Sequence, residues 1–228
     1  MFHGIVFCIA PPKDEDMTFL IATGFCLVFL ATLIWAEQRG DSGMRWIAKP
    51  LASLAFVLAA LAGGALDSTY GLWILAALIL CMAGDIFLIP SGEKTFLAGM
   101  GAFAAGHAAY IGAFLSGGPE PTLLFVVSSI AMTIFAVFSL RWLWPHLGAF
   151  RHPVAGYTGI IAVMVATSFL AEPPASPTPS LLVIAGAIGF AVSDLAVARD
   201  KFVAPGFGNK IWGLPLYYGA QLLLAGTV

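Results

Sequence analysis

Two aspartates stand where a carboxylate is hard to accommodate. Asp85 closes the run Cys81-Met82-Ala83-Gly84-Asp85, and Asp194 closes Gly189-Phe190-Ala191-Val192-Ser193-Asp194; both runs end long apolar stretches. A carboxylate inside a membrane span costs about 2.5 kcal/mol or more, so each of these needs a task or a partner. In a low-dielectric interior two neighbouring carboxyls do not both ionise: one keeps its proton and can act as an acid, while the other stays charged. An acid beside an anion suits delivery of a proton to a neutral substrate, with the resulting cation steadied until water captures it. Such a pair titrates as a unit, so the sequence assigns neither aspartate a fixed role.

Further polar residues recur at helical spacing. Lys49 and Ser53 lie four apart, His107 and Tyr110 three apart, and Tyr217 and Gln221 four apart, with Tyr218 beside them. Each pair therefore shares a helix face. Tyr157 opens one apolar stretch, and Asn209 and Lys210 open another. Together they predict a polar cavity facing the cytoplasmic leaflet, lined by the second, third, fourth, sixth, seventh and eighth helices, with the first and fifth contributing no polar group. Each residue also has a plainer reading. Lys49 and Lys210 fit cations that snorkel to the interface, and Tyr157 and Tyr218 fit an interfacial aromatic belt. His107 fits a helix-packing hydrogen bonder, and the two aspartates fit a structural ion pair with Lys49.

The elements that must position these groups follow from composition. Of 228 residues, 60% are hydrophobic and only 10% charged, against roughly 25% charged in a soluble domain. Apolar stretches at 17–36, 47–66, 71–89, 96–116, 121–144, 154–171, 179–199 and 209–226 predict an all-α polytopic membrane protein of eight helices. At about 20 residues a span, this leaves no room for a soluble domain. Linkers such as Gly117-Gly118-Pro119-Glu120-Pro121 and Glu172-Pro173-Pro174-Ala175-Ser176-Pro177 are short enough to make consecutive helices antiparallel neighbours. The domain runs over 17–228; residues 1–16 read as an N-terminal extension, with Met17 an alternative start. Net charge is −2 with no basic run, which excludes a nucleic-acid footprint or a polybasic anchor. Cys8, Cys26 and Cys81 have no metal-binding spacing.

Nine of the ten Lys and Arg flank odd-numbered loops, only Lys13 standing apart. This predicts an inner-membrane protein with both termini outside the cytoplasm. Lys49-Pro50 and Gly84-Asp85 also find echoes in His152-Pro153 and Ser193-Asp194, 103 and 109 residues on. A four-plus-four parallel duplication follows from that spacing and would set the two aspartates face to face.

Lys49-Pro50-Leu51, Gly84-Asp85 with Leu88, Phe103 followed by His107 and Tyr110, Gly186-Ala187 leading to Phe190 and Ser193-Asp194, Lys201-Phe202, and Tyr217-Tyr218 with Ala220-Gln221 stand in that order along the chain. In order and helix placement these motifs resemble the YhhN family, also called the lysoplasmalogenase family. The resemblance implies an eight-helix enzyme that cleaves the vinyl ether of lysoplasmalogens to a fatty aldehyde and a glycerophospho-base; the residues themselves lead us to expect no cofactor and no metal. Its partners would be that lysophospholipid, bilayer lipids and, where the chain assembles, further copies of itself. Ala52-Ser53 departs from the family, where hydroxyl residues are expected at both positions. The chemistry agrees with the residues: slow protonation of the outer alkene carbon gives an oxocarbenium ion, and water captures it as a hemiacetal. On this reading Lys49 holds the substrate phosphate, and His107 or Tyr110 orients water or the hemiacetal.

Other functions are weighed by the same residues. A zinc hydrolase needs about three ligands at one depth, and His107 alone among the four histidines lies inside a span. A small-molecule or proton-coupled transporter uses paired membrane aspartates equally well, but at the midplane rather than near one face. A lipid-binding scaffold would lose nothing on Asp85→Asn.

Overall fold

The computed structural model describes residues 14–173 and 179–228. They form eight α-helices: α1 Asp14–Arg39, α2 Ser42–Ala62, α3 Thr69–Phe87, α4 Glu93–Leu115, α5 Leu123–Leu143, α6 Arg151–Ser168, α7 Pro179–Ala198 and α8 Phe207–Ala225. Among the described residues there is no strand. Residues 1–13 of the expected extension and 174–178 of the sixth linker lie outside the described residues. The rest of the extension, 14–16, is the first turn of α1.

Local caps account for where the helices differ from the sequence expectation. Asp41 accepts from the Met44 backbone N–H at 3.0 Å and so starts α2 five residues before the expected 47. Pro50 then lies inside the helix rather than near its start. Ser68 caps α3 through Gly71 N–H at 2.9 Å, and Thr122 caps α5 through Phe125 N–H at 3.2 Å.

Among the described residues six helices are long and apolar enough to cross a membrane: α1 to α5 and α7. The other two, α6 of 18 residues and α8 of 19, carry charged and polar residues along their length, Arg151, His152 and Tyr157 in α6 and Asn209, Lys210, Tyr217, Tyr218 and Gln221 in α8. Both pack inside the bundle, α6 against α4, α5 and α7, and α8 against α1, α2, α3 and α7. The periphery stays apolar where lipid would lie: Leu123, Leu124, Ile130 and Phe138 of α5 all face outward. The chain is an all-α, multi-pass membrane protein.

Glycines let the helices behind the site approach closely, as small residues do in membrane bundles. A Cβ on Gly84 would come 2.7 Å from the Phe103 ring of α4, and one on Gly213 of α8 would come 2.6 Å from Ala196 of α7. Each glycine thus sets the neighbour of a functional helix in place. Around them Phe56, Tyr110, Phe114, Phe190 and Tyr218 are fully buried.

Candidate active site

A cavity of about 750 Å³ runs from the aromatic interior to the face that bears the α3–α4 and α7–α8 connections. Its size falls within the roughly 300–1,000 Å³ of small-molecule sites. The deep end is walled by Phe103, Ile161, Phe190 and Tyr217, and the outer end by Ile89–Gly92, Asp200, Lys201 and Pro205. Both aspartates line it, Asp85 from α3 and Asp194 from α7.

Their surroundings differ. Asp85 is buried and accepts three donors: Ser53 Oγ at 2.6 Å and Tyr217 Oη at 2.7 Å, both on Oδ2, and Lys49 Nζ at 3.2 Å on Oδ1. A carboxylate met by a cation and two hydroxyl donors has its charge fully answered. Tyr218 supports this set, its hydroxyl lying 3.3 Å from Ser53 Oγ and 3.4 Å from the Lys49 carbonyl oxygen. Asp194 takes one clear donor, Tyr157 Oη, at 3.2 Å on Oδ1, and its Oδ2 lies 3.3 Å from His107 Nε2. Ser53 and Tyr157 hold corresponding places in the expected duplication, each a hydroxyl of a half's second helix donating to the carboxylate of its third.

Direct contacts join the two carboxylates. Tyr217, bonded to Asp85, packs its ring 5.4 Å from Phe190, and Phe190 lies 4.2 Å from the imidazole of His107, which meets Asp194. Phe103 closes the wall, 5.9 Å from Tyr217 and 6.1 Å from Phe190.

Lys49, Asp85, Tyr157, Asp194, Asn209 and Tyr217 line the cavity. Ser53, His107 and Tyr218 stand one layer behind and hold those that do. Tyr110 and Gln221 do not reach the wall; they bond each other, Tyr110 Oη to Gln221 Oε1 at 2.5 Å, in the fully buried core. Asn209 bonds Arg199, Asp200 Oδ1 at 3.0 Å and the Ala204 carbonyl at 2.8 Å. Its amide therefore ties the π-helical turn Arg199–Val203 to the start of α8.

The expectation that the first and fifth helices add nothing polar is corrected: Glu37 of α1 and Ser139 of α5 both line the cavity. Glu37 is reached because α1 runs three residues past its expected end at 36. At the mouth its carboxylate holds Lys210 Nζ at 2.6 Å and Arg45 at 3.8 Å. No periodicity marks Ser139; Glu37 is flagged by its charge but reads as the edge of a loop.

The comparisons with known proteins bear on this same framework. The chain is 33% identical to the lysoplasmalogenase of Mycobacterium tuberculosis (strain CDC 1551 / Oshkosh) over 181 residues, covering 76% of this chain and 66% of that protein, just under two thirds of its length. It is 33% identical to lysoplasmalogenase TMEM86A of Bos taurus over 207 residues, covering 88% of this chain and 83% of that one. It is 29% identical to the uncharacterized membrane protein YhhN of Escherichia coli O157:H7 over 136 residues, 57% and 61% of the two chains. No solved structure matches it. The family model for YhhN matches residues 44–228, a stretch that carries every cavity residue named above except Glu37, and the chain belongs to the YhhN family.

Proposed function

We propose that the protein is a membrane hydrolase that cleaves the vinyl ether bond of lysoplasmalogens, lysoplasmenylcholine or lysoplasmenylethanolamine, to a fatty aldehyde and a glycerophospho-base. The observation that carries this reading is the convergence of Asp85 and Asp194 on one cavity. One carboxyl protonates the outer alkene carbon, and the other remains an anion that steadies the oxocarbenium ion. Water adds to that cation, and the hemiacetal splits into aldehyde and alcohol. The relatives named lysoplasmalogenase support the same chemistry.

In our reading the headgroup contact expected of Lys49 passes to other cations. Its ammonium is taken by Asp85, whereas among the described residues Arg45 and Lys210 at the mouth share the one carboxylate of Glu37. Arg45 and Lys210 are the cations we assign to the substrate phosphate. The purified protein in detergent should release aldehyde from an alkenyl lysophospholipid and none from the saturated alkyl ether analogue. Equal handling of the two, or no release from either, overturns the reading.

The orientation is part of the same proposal: the mouth faces the cytoplasm of a bacterial inner membrane, with both termini outside. Reporters fused at Gly118 and at Val228 should both read as non-cytoplasmic, and one near His152 as cytoplasmic. A cytoplasmic reporter at Val228 overturns this orientation.

A further inference from the structure

The setting of His107 makes the two aspartates unequal. His107 is fully buried, and its Nδ1 lies 2.7 Å from the Phe103 carbonyl oxygen. A carbonyl only accepts, so Nδ1 carries the proton of that bond. In the neutral ring Nε2 is then a lone pair, and it faces Asp194 Oδ2 at 3.3 Å. Both atoms are sealed from solvent, and neither has a hydrogen-bond partner among the described residues. Two acceptors do not sit facing each other in an apolar interior without a proton between them, because each would stay desolvated and unpaired. Asp85, by contrast, has the Lys49 ammonium 3.2 Å away to answer its negative charge, with the Ser53 and Tyr217 hydroxyls beside it.

We propose that His107 and Asp194 hold one proton, carried on the Asp194 carboxyl, so that Asp194 is the proton donor of the site, Asp85 its permanent anion and His107 the positioning residue that keeps the donor loaded. The proton sits on Asp194 because a neutral acid and a neutral ring bury no charge, whereas an imidazolium and a carboxylate would bury two. This assignment rests on the vinyl ether reading and gives its two carboxyls separate roles. Rotation of the carboxyl about Cβ–Cγ carries its O–H from His107 to the cavity. The proton passes to the outer alkene carbon, whose π electrons form the new C–H bond, leaving Asp194 as carboxylate and the substrate as oxocarbenium beside Asp85. Water oxygen then adds to the cationic carbon, and its surplus proton returns to Asp194. In the split of the hemiacetal its hydroxyl proton passes to the departing glycerol oxygen, which leaves with the C–O bonding pair, and the enzyme is restored.

The test reads the proton directly. Infrared spectra of the full-length protein in lipid nanodiscs, in H2O and D2O, should contain a protonated-carboxyl stretch that shifts in D2O. It should persist in Asp85→Asn and vanish in Asp194→Asn. With ¹⁵N-histidine, His107 should appear as the neutral Nδ1–H tautomer. No such band in the wild type, loss of the band in Asp85→Asn instead, or a doubly protonated His107 overturns the assignment. In turnover assays, His107→Gln keeps an acceptor for the Asp194 O–H and should retain most activity. His107→Leu removes it and should lower kcat about tenfold at unchanged KM, as expected for one lost hydrogen bond of about 1.4 kcal/mol. Equal losses in the two variants overturn the positioning role. The two readings fail separately: a wild type that releases no aldehyde yet shows the band loses the reaction and keeps the proton, and an active wild type without the band does the reverse.

Discussion

Asp194→Asn should lower turnover by at least about 10²-fold while leaving the protein folded. The amide keeps the size of the carboxyl, its oxygen still accepts from Tyr157, and its N–H can donate to the lone pair of His107 Nε2. What it loses is the transferable proton. Asp85→Asn should lower turnover as strongly by another route, because it removes the charge that steadies the oxocarbenium ion. It also leaves the Lys49 ammonium, little exposed, without its anion, so this variant should be less stable than Asp194→Asn. Wild-type turnover should be slower in D2O than in H2O, since carbon protonation is the slow step. Full activity of a folded Asp194→Asn protein would end the two-carboxylate mechanism, and a rate indifferent to solvent deuterium would end carbon protonation as the slow step.

The residues that proved informative in the sequence were those whose type conflicts with their setting. Asp85 and Asp194 sit in apolar runs, and in the structure both line one cavity together with Lys49, Tyr157, Asn209 and Tyr217. Helix number and order were legible for the same reason, each apolar stretch being closed by charge, Pro or Gly. The rotation of each helix was not. A membrane helix is apolar on its lipid face as well as its core face, so the contrast that marks the inner side of a soluble helix is lost. Tyr110 and Gln221, correctly placed on their helices, therefore turned out to face each other across the core rather than the cavity. Glu37 was hidden differently: α1 continues past Ala36, buried, to put this carboxylate at the mouth. Asn209 reads, with Lys210, as a polar opening of α8, and only the fold shows its amide spent on the preceding turn.

Lys49→Met should act on turnover and stability rather than on substrate affinity. Were Lys49 the phosphate holder, its loss would weaken ground and transition states alike and appear mainly in KM. The ammonium instead lies 3.2 Å from Asp85 Oδ1, with side chains only 13% and 3% exposed. Removing one partner of a buried pair leaves the other as an unanswered charge, which costs about 3–5 kcal/mol; the partial exposure of Lys49 sets the expectation at about 3 kcal/mol. Without its cation Asp85 is a buried charge with no counter-ion, its place in the site is no longer held, and kcat should fall at least about tenfold with KM little changed. The double variant Lys49→Met/Asp85→Asn removes both charges and should recover much of the stability, as neutral replacement of buried pairs does, but none of the activity. Arg45→Met and Lys210→Met supply the contrast. These cations stand at the mouth with 26% and 32% of their side chains exposed and Glu37 between them, so their loss should raise KM for the phosphate-bearing substrate and spare kcat. A Lys49→Met protein of wild-type thermal stability whose only defect is a raised KM would return Lys49 to the headgroup and leave Asp85 without its counter-charge in catalysis.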